Sequence, residues 1–164
     1  MIACTRSHKP LGWPVMPQPE QPAPSIQARI QGASTLPEML AACFDAFEII
    51  RLVADSCVDE VPELFAAFMT TVGAAMNGRE AITAAPSLPP GPADLQGSTL
   101  AANASLEETM SALANLGELL ASRLSKAAGT ATVAADRVAC EEAAEAGRQI
   151  RHLMARDDDA PGFW

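Results

Sequence analysis

Four segments of this 164-residue chain carry apolar residues three and four positions apart, and Gly- or Pro-containing sequences separate them. That spacing places the apolar side chains along one face of an α-helix. Aromatic residues make up only 4% of the chain, and β-branched residues are sparse, which disfavours a β-sheet. We therefore predict an all-α fold. It is a four-helix bundle of two antiparallel helical hairpins, with a Pro-rich N-terminal arm and a short C-terminal tail.

The bundle is predicted to occupy residues 35–156. The sequence from Thr35 to Glu38 forms a capping box, in which the hydroxyl and the carboxylate each bond a free backbone amide at the helix start. A second box, at Ser105 and Glu108, is an alternative start for the third helix. Only a few residues separate the first two helices, so they should pair as a hairpin. The predicted helices span residues 36–57, 60–78 or 60–85, 99–128 and 131–156, with a linker at residues 86–97.

Each predicted helix directs an apolar face at the core. On the second helix this face includes Phe65 and Met76, and residues 64–77 carry no charge at all. On the third helix the face contains Gly117. Because a glycine inside a helix costs roughly 1 kcal/mol relative to alanine, we expect a neighbouring helix to approach closely there. The fourth helix offers mainly alanines, Ala135 among them, so it buries little area and should be the least stable helix by itself.

The two ends of the chain differ in composition from the bundle. Residues 1–34 hold six prolines, which fix φ and lack an N–H, so we predict an extended or disordered arm. This arm carries Trp13, and the acidic tail at residues 157–164 carries Phe163 and Trp164. Aromatic side chains dominate binding energy at interfaces, and C-terminal carboxylates are a recurrent recognition handle. We therefore predict that these three aromatic residues bind a protein partner. The alternative is that the two in the tail fold back onto the bundle.

The formal net charge of −9 limits the possible partners. An acidic body attracts neither nucleic-acid phosphates nor anionic membranes, so we predict no nucleic-acid partner and no membrane partner. The four cysteines form no CxxC motif, and prolines interrupt any apolar run near the N-terminus. Both features favour a reducing compartment, and we predict a cytoplasmic location. Abundant Ala, Pro and Arg are typical of a bacterium with a GC-rich genome.

No group of residues in the sequence predicts catalysis or metal binding. His8 lies in the arm, and His152 lacks the acidic residue three positions earlier that a di-iron Glu-x-x-His motif requires. We predict that Cys43, Cys57 and Cys140 are buried in the core, since their spacing does not suggest a zinc site. No Gly-rich phosphate-binding loop is present. The sequence therefore predicts no cofactor, no metal and no enzymatic activity.

Three charged residues fall on the predicted apolar faces, namely Arg51, Arg79 and Glu142. A buried charge without a partner is very costly, so each needs a partner or a route to water. One hypothesis is a buried Arg51–Glu142 pair that fixes the helix register or lies in a ligand cavity. The other is that the long side chains reach water at the edges of the faces.

These observations favour a non-enzymatic helical module that acts by protein–protein contact, as an adaptor, an assembly subunit or a regulator. We expect self-association to a homodimer, because a second copy can complete a bundle whose fourth helix is weak. The alternative is a small-molecule-binding bundle with a cavity lined by Met and Phe and carrying Arg51.

Overall fold

The computed structural model describes residues 25–96 and 104–155, and every regular element within these ranges is helical. The α-helices are α1 (Ile26–Gly32), α2 (Leu36–Val58), α3 (Phe65–Thr83), α4 (Leu106–Thr130) and α5 (Ala134–Met154), and a 3-10 turn (Pro62–Leu64) precedes α3. The predicted all-α fold is confirmed, and α2 to α5 are the four helices that the sequence predicts.

Helices α2 and α3 pack against each other as a hairpin. The predicted capping box starts α2, because the Thr35 hydroxyl accepts from the Glu38 N–H and the Glu38 carboxylate accepts from the Thr35 N–H. Helix α3 runs through Gly78 to Thr83, so the shorter of its two predicted lengths is wrong. A glycine suits this helical position for a steric reason, since the Phe47 ring lies 2.5 Å from where a Cβ would stand.

Helices α4 and α5 form the most extensive helix pair of the described residues. Helix α4 begins at Leu106 with Ser105 as its N-cap, so the predicted start at residue 99 is wrong and the alternative capping box is correct. The two backbones touch at Gly117 and Gly147, where a Cβ added to the first would lie 2.8 Å from the carbonyl oxygen of the second. The close approach predicted at Gly117 is confirmed.

Helix α5 is shorter than predicted, and its buried face is rotated. It begins at Ala134, and the backbone is already extended at Ala155. Ala135 is exposed, although its position predicts burial, whereas Asp136 is only 1% exposed. The Asp136 carboxylate accepts from the Ser87 N–H at 3.0 Å and from the Ser87 hydroxyl at 2.7 Å. Asp136 thereby holds the start of the linker, at Ser87, against α5.

The seam between α2 and α4 is covered by α1. The two hairpins join mainly through α3 and α5, while α2 and α4 have few direct contacts and α1 packs on both. Ile26 and Ile30 of α1 are buried in the core. The prediction of an extended or disordered arm over residues 1–34 is therefore wrong for residues 26–32. Ser25, which caps this helix, and the two isoleucines four positions apart were the signals in the sequence.

Two arginines hold α1 in place. Arg123 of α4 donates from Nη2 to three backbone carbonyl oxygens within residues 30–33, at 3.1 to 3.3 Å. Carbonyls at a helix C-terminus lack hydrogen-bond donors within the helix, and Arg123 supplies the missing donor. Arg29 of α1 is ion-paired with Asp45 of α2, which is 4% exposed and also accepts from the Asp94 N–H at 2.9 Å. One buried carboxylate thus connects α1, α2 and the linker.

Candidate functional site

The predicted partner-binding residues Trp13, Phe163 and Trp164 lie outside the described residues. The described part of the chain carries three surface features that bear on function. They are a charged cluster on α2 and α3, an apolar face on α3, and a groove between α4 and α5.

In the charged cluster, Arg51 and Arg79 meet at the carboxylate of Glu48. This carboxylate accepts from Arg51 Nη2 at 2.8 Å and Nε at 3.0 Å, and from Arg79 Nη1 at 2.5 Å. The Arg79 guanidinium also stacks on the Phe44 ring, with its Cζ 4.8 Å from the ring centroid. All four side chains are partly exposed. The cluster therefore reaches water and joins α2 to α3 at the edge of their interface.

Glu142 does not belong to this cluster. It is exposed on α5, and Arg51 pairs with Glu48 of its own helix instead. The hypothesis of an Arg51–Glu142 pair is wrong, because α5 packs on α3 and α4 and turns its alanines and Asp136 inward.

Glu48 should make the folded protein less stable as the pH falls through the acidic range. The hydrogen bonds from Arg51, and then the charge of Arg79, hold the pKa of Glu48 below its ordinary value of 4.5. A carboxyl group with a lowered pKa stabilises the folded state above its ordinary pKa, and this contribution is lost as the pH falls through the lowered value. We expect Glu48→Gln to reduce the free energy of unfolding by about 1 kcal/mol at neutral pH. The deficit should shrink at pH values below 4.5.

Urea unfolding of Glu48→Gln and the wild type, at neutral pH and well below the ordinary carboxyl pKa, measures this effect. Glu145→Gln is the matched control, because Glu145 pairs with Arg148 three residues along the same helix but is 70% exposed. The control should differ little from the wild type at either pH. An equal deficit for Glu48→Gln at both pH values would contradict the ion pair as its cause.

The cysteines within the described residues lie in the core, as predicted. Cys43, Cys57 and Cys140 are buried and free. Burial raises the pKa of Cys43, and burial together with the charge of Asp136 raises the pKa of Cys140 to about 11. Both thiols therefore stay protonated and unreactive at neutral pH. Among residues 25–96 and 104–155, no three His, Cys, Asp or Glu residues are grouped so that they could hold a metal ion.

Three large apolar side chains are exposed on the outward side of α3, with exposed Thr70 and Asn77 beside them. Phe65, Met69 and Met76 are exposed by 50%, 44% and 55%, and Gly73 lies among them on the same side. We call these four residues the α3 outer face. The prediction that Phe65 and Met76 point to the core is wrong, since the buried face is centred on Phe68 and the alanines beyond it. Spacing alone could not select the face, because apolar residues lie on every side of the uncharged part of this helix.

Gly73 lies at the middle of the α3 outer face, and no neighbour within the described residues requires a glycine there. A Cβ added to Gly73 would meet no atom within 4 Å, whereas one added to Gly78, Gly117 or Gly147 would collide with a neighbour. A glycine in a helix interior costs roughly 1 kcal/mol relative to alanine. The close approach of another helix from outside this fold would compensate that cost.

A groove lies between the first turns of α4 and the end of α5. It has a volume of about 610 Å3, and its lining includes Leu106, Met110, Ala114 and Met154. Ala155, the last residue that the structure describes, also lines it. We call this feature the α4–α5 groove.

None of the helices within the described ranges combines the length and the apolar character needed to cross a membrane. No protein-family model, no curated protein and no solved structure matches this chain.

Proposed function

We propose that this protein is a non-enzymatic protein–protein interaction module, built on a four-helix bundle of α2 to α5, and that it forms a homodimer through the α3 outer face. As an adaptor, assembly subunit or regulator it would act in the cytoplasm. Its buried, protonated thiols suit a reducing compartment there. The observation that carries the proposal is the exposed apolar side of α3.

The composition of α3 supports a covered outer face. A helix that is apolar on all sides is normally buried on all sides, and residues 64–77 carry no charge. The fold covers only one side of α3, against α2 and α5. Large exposed apolar side chains grouped on one side of a helix mark an interaction site. The sequence predicts a dimer completed at a weak fourth helix, but α5 packs against α3 and α4, so we place the interface on α3 instead.

The arrangement of the α3 outer face favours a second copy of the chain as the occupant. A two-fold interface must be self-complementary, because the same patch meets itself. If two α3 helices cross antiparallel at Gly73, Met76 of one copy lies beside Met69 of the other, and the same contact repeats across the axis. The missing side chain at Gly73 lets the backbones approach, while the methionines adapt to each other around the crossing.

Replacement of Met69 and Met76 by glutamate tests the dimer. We expect the wild type to dimerise and the double variant to be monomeric, because each interface would bury four unpaired carboxylates. Sedimentation equilibrium over a range of concentrations gives the dissociation constant. Val138→Glu is the control, since Val138 is a comparably exposed apolar residue, at 51%, on α5. This control should dimerise like the wild type.

Gly73→Ala refines the same test, because it should raise the stability of the monomer and lower the affinity of the dimer. Alanine should stabilise the monomer by up to about 1 kcal/mol, since its methyl group meets open space. It should weaken dimerisation, since the methyl group would separate the crossing helices. A wild type that stays monomeric at the highest concentration, or a double variant that dimerises normally, would contradict the proposal.

One observation supports the alternative function, a small-molecule-binding bundle. The α4–α5 groove is lined by Met110 and Met154, and its volume lies in the range of ligand pockets. Arg51 does not line this groove, so the groove gives no support to the predicted cavity that carries Arg51. A thermal-shift screen of small apolar ligands against wild type and Ser111→Arg, which narrows the groove, would detect such binding. The N-terminal arm with Trp13 remains a predicted contact for a further protein partner.

A further inference from the structure

The α4–α5 groove opens at the point where the chain leaves the fold. Helix α5 ends at Met154, and the backbone of Ala155 is extended, with φ −70° and ψ 117°. Both residues line the groove. Whatever follows residue 155 therefore begins its path at the edge of this groove.

The floor of the groove suits an aromatic occupant, and four exposed polar residues also line the groove, namely Ser105, Glu107, Ser111 and Asn115. Met154 and Met110 are 1% and 6% exposed, so they form a packed floor, and Leu106 is half-buried at one side. Methionine side chains adapt to irregular partners and make favourable sulfur contacts with aromatic rings. A volume of about 610 Å3 is of the size that accommodates ring systems.

The sequence after residue 155 has the length and the turn residues needed to return to the groove. Phe163 follows Ala155 by eight residues, which can extend to ~26 Å. The part of α4 that lines the groove, residues 106–115, is ~14 Å long. Pro161-Gly162 comes directly before the aromatic pair, and Pro followed by Gly favours a tight turn.

We propose that Phe163 and Trp164 of the same chain occupy the α4–α5 groove. The tail then forms an intramolecular contact that covers Leu106, Met110 and Met154, and a partner that recognises the two aromatic residues must first displace them from it. This contact is separate from the α3 outer face, so it stands or falls independently of the proposed dimer.

Tryptophan fluorescence tests this contact directly, because the chain contains only Trp13 and Trp164. In a Trp13→Phe background, the emission of Trp164 should be blue-shifted relative to the denatured protein, and acrylamide should quench it several-fold less. Ser111→Arg, which fills the groove from an exposed wall position, should shift the emission to the red and restore quenching. Asn115→Arg, at the other exposed wall position, is a second blocking variant with the same expected result.

Ser122→Arg is the matched control, because Ser122 is exposed on the same helix outside the groove. It should leave the Trp164 emission unchanged. Circular dichroism establishes that each variant is folded. Emission like that of the denatured chain, or emission unaffected by both blocking variants, would overturn the proposal. A blue shift that appears only as the protein concentration rises would also overturn it, since the tail would then occupy the groove of a second copy.

Discussion

Gly117→Ala should lower the free energy of unfolding by about 3 kcal/mol, a large loss for the addition of a single methyl group. The new Cβ would lie 2.8 Å from the Gly147 carbonyl oxygen and 2.9 Å from the Arg151 amide nitrogen. Both are backbone atoms of α5, so no side chain can rotate away. The helices must separate, and Leu120 and Ile150 would lose packing on either side of the contact. Denaturant unfolding measures the loss.

Two further variants establish that the helix contact is the cause. Gly129→Ala, near the end of the same helix, meets nothing within 4 Å and should leave stability unchanged or slightly higher. Gly147→Ala should cost about as much as Gly117→Ala, and the double variant should cost clearly less than their sum, because helices already separated have room for the second methyl group. Full additivity, or a harmless Gly117→Ala, would show that the backbones do not touch.

Asp45→Ala should lower the unfolding free energy by about 2 to 3 kcal/mol, because it leaves the part-buried Arg29 guanidinium without its carboxylate partner. The Arg29 side chain keeps 21% exposure, so water recovers part of the cost. The Asp94 N–H also loses its acceptor. The loss should be concentrated in α1, because this carboxylate connects the helix to α2 and to the linker.

Trypsin provides the local measurement for Asp45→Ala, since cleavage after Arg29 requires α1 to leave the seam. We expect cleavage at Arg29 to accelerate by more than tenfold, which corresponds to a local loss above about 1.4 kcal/mol. Glu145→Ala, which breaks the exposed pair with Arg148, should change neither stability nor cleavage appreciably. Unchanged cleavage at Arg29 in Asp45→Ala would mean that Ile26 and Ile30 hold α1 without the ion pair.

The sequence predicted the fold class and much of the α2–α3 and α4–α5 framework because local rules were strong there. The Thr35 capping box predicts the start of α2, and Gly117 predicts a close helix contact without showing which helix makes it. The sequence allows the third helix to start at residue 99 or at the capping box of Ser105, and α4 begins at the capping box. The capping residues therefore predict the start of α4 better than the helix-forming composition of the residues before it does.

The candidate surfaces were harder to predict, because they depend on which side of a helix faces a neighbour. Apolar residues lie on every side of the uncharged part of α3, so its periodicity could not show that Met76 faces outward. The inward position of Asp136 depends on Ser87, which is 49 residues away in sequence. Helix α1 was missed because the prolines before it dominated the composition of residues 1–34, while only Ser25 and two isoleucines indicated a helix.

The position of α1 has a consequence for synthesis on the ribosome. Helix α2 follows α1 directly in the sequence, but Arg123 of α4, which binds the last carbonyls of α1, comes 93 positions after Ile30. At 5 to 20 residues per second, Ile26 and Ile30 would wait roughly 5 to 20 s for the α4 side of the seam that buries them. During that time only α2 can cover α1, and its apolar face stays partly open to chaperones.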